Sequence, residues 1–461
     1  MKNTFLTALF CLSCSLFCNA QTVDDFINST NLPLLKLTVN ELTGETTTKV
    51  NGSTVTIKNR VSASGAGNDI AADFIKERLT GYNLTAVDQI YKSGKLGGRN
   101  VYATQLGKKN PADIYMICAH YDAKADYCAD DNISGVVALL EAARLLSNYC
   151  FENTIVYAFW DEEETGLEGS KYYAKDASSN KENIKGVLNL DMAAYDGNGD
   201  KGFDIDVNNN VSSLAIKDLL LSLVKTYKLD LIPTVVNPGT PDSDHAAFWP
   251  YNYGALLLGE SWSTKDITPY YHTSKDRANT LNWPYYHEMV KLTIAYIATV
   301  ANPLKTTVDV TQVGNTLTAN TSASAYQWIN CGELFTPIKG QTNKNFTATT
   351  NGNYAVQATI DGCKYLSSCF RVGVSGLNKY NSFTSELTLY PNPSATNFII
   401  DLHKKYSNIQ IDITDVNGKL KYSKKIMNSR VIPIEFKEIA GVYFISVVAD
   451  ENRGVLKLMT H

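Results

Sequence analysis

The sequence predicts an α/β fold, a three-layer doubly wound mixed sheet, followed by two small all-β domains. Three observations lead there. Between about Leu37 and Ala301, short apolar runs alternate with segments of helical periodicity. After Asn302-Pro303 the texture changes to Thr-, Asn- and Ser-rich stretches with alternating apolar positions and no helical pattern. Within the first part, acidic and imidazole side chains fall just after the carboxyl ends of the predicted strands, where open α/β sheets hold their ligands.

The chain opens on Met1-Lys2-Asn3, with one positive charge, and an apolar run from Phe5 to Phe17 that is too short and too Cys/Ser-rich for a membrane span. The small Ala20 before Gln21 suits cleavage, so 1–20 is read as a signal peptide and the mature chain as exported, with no transmembrane segment. The bulky Phe17 before Cys18 argues against lipidation.

The α/β domain is assigned to 21–304. Its buried strands are expected at Ile114–His120, Thr154–Trp160, Val187–Met192 and Ala255–Gly259. Helices are expected at Asp69–Leu79, Ser134–Leu146, Val211–Tyr227 and Tyr286–Val300, with Ser134 as an N-cap before the apolar face of Val136, Val137, Leu139 and Leu140. Residues 305–376 read as a small β-sandwich and 377–386 as a linker. A further β domain at 387–461 begins with the Tyr390-Pro391-Asn392-Pro393 turn, breaks at Asn417-Gly418 and starts a strand at Gly441-Val442-Tyr443.

With 42 basic and 46 acidic residues and a net charge of −4, the chain has no basic surplus to attract nucleic acid or an anionic membrane. Cys11, Cys14 and Cys18 leave with the signal peptide. The remaining Cys118, Cys128, Cys150, Cys331, Cys363 and Cys369 are even in number, which permits disulfides. The grouping of Cys331, Cys363 and Cys369 points to at least one bridge in that segment, and no CxxC pair suggests a cysteine zinc site.

The chemistry-bearing residues are His120-Tyr121-Asp122 and Asp130-Asp131-Asn132 after one strand, Asp161 to Glu164 after the next, Asp191 after a third, and His272 a loop beyond the last. A lone strand-end aspartate is usually a helix cap, and an acidic run a solvated face. Taken together, His120, Asp131, Glu164, Asp191 and His272 supply two imidazoles and three carboxylates, enough for two metal ions sharing one bridging carboxylate.

These motifs, together with Ala129 to Gly135, Glu163 to Ser170, Asn189 to Met192, Ser243-Asp244-His245 and Tyr271 to Asp276, occur in the order found in a known family. Over about 57–300 the chain resembles the secreted two-zinc aminopeptidases of the bacterial leucyl type. The resemblance implies two zinc ions per chain, with Asp131 bridging, His120 and Asp191 completing one site, and Glu164 and His272 the other. It implies Glu163 as general base, Asp122 as the partner that orients His120, a cis peptide at Asp131-Asn132, and peptides with a free amino end as substrates. Tyr271 matches a tyrosine that in some members holds the oxyanion; an aromatic wall is the other role open to it. The cysteines that precede Ser243 in other members are missing here from Pro238 to Asp242, which leaves the specificity loop unassigned.

Asp130, Asp161 and Glu162 are expected to support the ligands, Asp244 and His245 to be structural, His287 to pack in its helix, and Cys128 to be an inert thiol. Lys124 can line the cleft. Residues 326–369 resemble an immunoglobulin-like module. Residues 387–461 resemble the type A sorting domain of type IX secretion, which implies that machinery as a partner. Three other functions would leave different marks on the chain. A glutaminyl cyclase of the same fold uses one zinc and lacks the first ligand histidine. A carboxypeptidase of the clan carries an insertion for which the gap from Asp191 to His272 is too short. A non-catalytic adhesin would not need the metal set.

Overall fold

The computed structural model describes residues 22–62, 65–93, 96–332, 336–373, 381–415 and 419–460. The expected signal peptide, part of the expected linker and the Asn417-Gly418 break lie outside the described residues. No helix among them is long and apolar enough to cross a membrane.

Eight strands form one mixed sheet: β1 (Ala86–Ser93), β2 (Leu96–Gln105), β3 (Asn110–His120), β4 (Asn153–Trp160), β5 (Asn183–Leu190), β6 (Gly202–Val207), β7 (Ile232–Val236) and β8 (Ala255–Gly259), in the order β1-β2-β4-β3-β5-β8-β6-β7. The four strands expected from the sequence are its centre. There β4, β3, β5 and β8 run parallel. Their mainly apolar central runs follow from burial on both faces. Parallel register also sends every carboxyl end to one edge of the sheet. His120 pairs with Trp160, and Leu190 with Leu258, so the loops after three different strands open side by side.

Seven helices accompany the sheet: α1 (Val23–Asn28), α2 (Leu32–Leu42), α3 (Ala66–Gly81), α4 (Gly135–Leu146), α5 (Glu168–Ser179), α6 (Val211–Thr226) and α7 (Trp283–Ala301). One core joins α2, α3, α4, α6 and α7 to the sheet through Leu35, Phe74, Val137, Leu220 and Ile294. A second core, on Met116, Val156 and Trp160, is covered by Tyr173 and Ala174 of α5 and by Phe248. These are the three layers.

The N-cap expectation for Ser134 is corrected. Asp131 (φ −102°, ψ 92°) and Asn132 (φ −130°, ψ 48°) are non-helical, but Ser134 itself is helical (φ −57°, ψ −49°) and makes no cap. Its hydroxyl instead donates to Asp130 O at 2.8 Å and accepts from Ala193 N at 3.0 Å.

By its contacts the chain divides into two units. The first runs to Gln312 and takes in Leu317–Phe346 and Gly352–Arg371. Its β segment contains the antiparallel strands Ala325–Asn330, Gly352–Ile360 and Cys363–Leu366 around the buried Trp328. Cys331 is bonded to Cys369, as the grouping led one to expect, while Cys363 is bonded to Cys150 beside β4. The second unit holds 372–461, where long antiparallel strands at Asn397–Asp415, Leu420–Glu435, Gly441–Ala449 and Asn452–Thr460 enclose Ile400, Ile411, Ile413, Ile445 and Val447.

Candidate metal centre

His120 is the last residue of β3 and is buried. Its Nδ1 lies 3.2 Å from Asp122 O, so with the proton there Nε2 turns its lone pair into the cleft. The chain then loops to Asp131, where the backbone is held from a distance: Asp276 accepts from Asp130 N at 2.9 Å and from Asp131 N at 3.0 Å. The Asp131–Asn132 peptide is cis. Asn132 donates to Leu190 O at 2.8 Å, and a Cβ on Gly135 would meet Asn132 Oδ1 at 2.4 Å and Leu190 O at 2.7 Å. Only glycine lets α4 start this close to the end of β5.

The loop after β4 carries Glu163 and Glu164. Asp122 fixes both, its two carboxylate oxygens accepting from Glu163 N at 3.1 Å and Glu164 N at 3.3 Å. The Asp122 carboxylate is thus engaged mainly by these amides, and its main-chain carbonyl is the nearer partner of His120. Asp161, buried at the loop's start, accepts from Asn68, from Arg99 N and from Glu162 N, a supporting role. Lys124 donates to Glu164 O at 2.6 Å.

Asp191 follows β5. Ser243 donates to its Oδ2 at 2.7 Å and is itself held by Asn189 at 2.7 Å, which leaves Asp191 Oδ1 facing His120 Nε2 at 3.3 Å. His272 stands opposite, with Tyr271 stacked on its ring at 3.7 Å between centroids and Trp262 edge-on to Tyr271 at 5.4 Å.

These groups converge. Asp131 Oδ1 lies 3.3 Å from His120 Nε2, and Asp131 Oδ2 lies 3.3 Å from His272 Nε2. Glu164 Oε2 is 3.0 Å from His272 Nε2, and Glu163 Oε2 is 3.9 Å from His120 Nε2. Ligating atoms of His120, Glu163 and Asp191 fall within 4.8 Å of one another, as do those of Asp131, Glu164 and His272. In the first group Asp131 is nearer to the histidine than Glu163.

Electrostatics favour a cation. Burial first, then Asp191, Asp244 and Asp122, push Glu163 up to about 10 against the pull of His120. Burial also raises Asp131 to about 6, with Glu164 and Asp191 adding to it and His120 opposing. Burial works against charge on His120, yet Asp191, Glu163, Asp122 and Asp131 hold it well above its ordinary value. Glu164 Oε1 and Asp191 Oδ1 are buried with no hydrogen-bond partner among the described residues. Imidazole nitrogens and carboxylate oxygens converging in this way are a zinc donor set.

All five residues expected as ligands, with Glu163, Asp122 and Tyr271, therefore gather in one cleft. Sequence reasoning missed the roles of Ser243 and Asp276, although both lie within motifs already noted. It missed Arg60 altogether: fully buried, it donates to the carbonyls of Leu42, Tyr121, Tyr127 and Cys128 and so holds the segment between His120 and Asp131. A single arginine in a loop carries no local signal of this. His245 is buried and contacts Thr240 O at 2.9 Å, and His287 bonds Thr30 at 2.7 Å. Burial pushes the Cys128 thiol up to about 12.

Residues 100–297 match peptidase family M28, and residues 388–461 match the secretion system C-terminal sorting domain. Leucine aminopeptidase 1 of Trichophyton rubrum is 30% identical over 183 residues, covering 38% of this chain and 48% of that protein. The chain thus spans about half the length of the curated relatives it matches. Among solved structures, the Legionella pneumophila LapA aminopeptidase superposes with a TM-score of 0.52 at 23% identity, covering 61% of this chain and 75% of that one. The aminopeptidase of Aneurinibacillus sp. strain AM-1 gives 0.52 at 15% identity, covering 63% and 99%. At these identities the two structures support the fold alone; by sequence, residues 100–297 are similar to peptidase family M28 and residues 388–461 to the secretion system C-terminal sorting domain.

Proposed function

We propose that this chain is an exported aminopeptidase that binds two zinc ions and hydrolyses the first peptide bond of peptides with a free amino end. One observation carries the reading: the two oxygens of Asp131 face two different histidines, each at 3.3 Å. That is the disposition of a bridging carboxylate, with His120 and Asp191 on one side and Glu164 and His272 on the other. Two zinc ions so held would lower the pKa of a bound water and polarise the scissile carbonyl.

The chain's own residues supply the rest. Glu163, fixed by its amide on Asp122 and half-buried beside the ligands, takes the proton of the attacking water and returns it to the leaving amine. Asp122 keeps His120 in the tautomer that turns Nε2 to the metal. Tyr271, 40% exposed on the rim, is within reach of substrate and donates its hydroxyl to the developing oxyanion. Residues 1–20 direct export as a signal peptide, and the sorting domain hands the chain to the type IX machinery.

The test is a panel of aminoacyl anilides with amino-acetylated counterparts. Zinc-dependent hydrolysis of the free-amine set alone is expected. Equal hydrolysis of the blocked set would remove the aminopeptidase reading. Cyclisation of an amino-terminal glutaminyl peptide, with no anilide hydrolysis, would replace it by a cyclase.

A further inference from the structure

Beyond the zinc centre, a second group of oxygen donors lies where the loop after β5 meets the loop before His272. Asp196, Asp200 and Asp266 place ligating oxygens within 4.8 Å of one another. No Lys, Arg or His forms an ion pair with any of the three among the described residues. Asp196 and Asp200 belong to the run Asp196-Gly197-Asn198-Gly199-Asp200, which spaces oxygen side chains at alternate positions as calcium loops do.

An independent observation points to a ligand. Ser261 is 2% exposed, and its hydroxyl has no hydrogen-bond partner among the described residues. Ser261 and Asp266 pair directly across an antiparallel bridge, which sets their side chains on one face. A Cβ on Gly202 would meet the Ser261 hydroxyl at 2.7 Å and Asp200 Oδ1 at 2.8 Å, so these two oxygens flank one small space. A buried hydroxyl left unpaired is costly, and this one borders the same space beside Gly202 as a carboxylate oxygen of Asp200.

We propose that Asp196, Asp200, Asp266 and Ser261 form a calcium site. An all-oxygen donor set suits a hard divalent cation, and a site drawn from two loops, with no fixed octahedron, suits calcium over magnesium. The ion would tie the chain just beyond Asp191 to the turn that leads to Trp262, Tyr271 and His272. It would act as a clamp on the cleft wall and take no part in the chemistry. The proposal does not depend on the reaction assigned to the zinc centre.

The experiment titrates calcium chloride into the full zinc-saturated protein, followed by calorimetry and by thermal unfolding. One calcium per chain is expected, with a dissociation constant of about 10⁻⁴–10⁻³ M, the range of extracellular modules. Tm should rise by about 2–5 °C at millimolar calcium. The pair Asp200→Asn and Asp266→Asn should lose both effects while zinc content stays unchanged. Ser261→Ala guards against a misfolded double variant: without calcium it should be as stable as the parent, and its calcium affinity should fall severalfold. No binding by the parent protein, an equal response to magnesium, or undiminished calcium affinity in both the double variant and Ser261→Ala would overturn the proposal.

Discussion

Ser243 donates a 2.7 Å hydrogen bond to Oδ2 of Asp191, across 52 residues of chain, and so selects which carboxylate oxygen meets His120. Ser243→Ala should keep the fold and free that carboxylate to rotate. Partners that orient a metal ligand are typically worth about 10–100-fold in metal affinity or activity. Zinc affinity measured against a chelator should fall within that range; an unchanged affinity and rate would show that Asp191 is held by other means.

Metal content is the direct check on the centre. After removal of metal and reloading, two zinc ions per chain are expected, because three carboxylates and two imidazoles exceed what one tetrahedral ion accepts. A saturating value of one would dismiss Asp131 as a bridge and favour a cyclase-like site.

Glu163 and Glu164 are adjacent, yet they should separate by experiment. Glu163→Gln should retain zinc while turnover drops by about 10²–10⁴-fold, the usual worth of a general base. Glu164→Gln should instead weaken one metal site. A zinc-replete Glu163→Gln protein that hydrolyses an unblocked leucyl substrate at near-normal rate would move the base elsewhere.

Arg60, fully buried, satisfies four carbonyls with one guanidinium, at distances from 2.8 to 3.0 Å. Arg60→Met should fill the space but leave those carbonyls unpaired, a loss of about 3–5 kcal/mol in urea unfolding. A loss below about 1 kcal/mol would mean that water takes over these contacts.

The Cys150–Cys363 bond spans 213 residues and joins the edge of the α/β domain to the β segment that follows, where Lys364 also bonds Asn148 at 2.9 Å. A chain cut to 21–304 would therefore expose a lone thiol at Cys150. With Cys150→Ser, this fragment should fold, bind zinc and stay active. It should also be less stable than the fragment ending at 373 by about 2–5 kcal/mol, the typical worth of a native disulfide. A folded, zinc-loaded fragment with no activity would show that the later residues help build the cleft.

What the sequence determined by itself was the class of fold and which side chains stand at the strand ends. Val187 to Asp191 is an apolar run closed by a carboxylate, and Ile114 to His120 one closed by an imidazole. Parallel strands, buried on both faces, must be such runs, and their shared direction brings those ends together. What only the tertiary structure decided was every contact made across the chain: Ser243 on Asp191, Asp276 beneath Asp130 and Asp131, Arg60 on the loop after His120, and Cys150 on Cys363. The misreading of Ser134 has the same origin, since a serine before an apolar helix face is a cap only if its own backbone is extended, and Ser134 already has helical angles. Periodicity reports burial between neighbours a few residues apart. Hydrogen bonds and disulfides between residues tens or hundreds of positions apart leave no period to read, because their partners are chosen by how the layers pack.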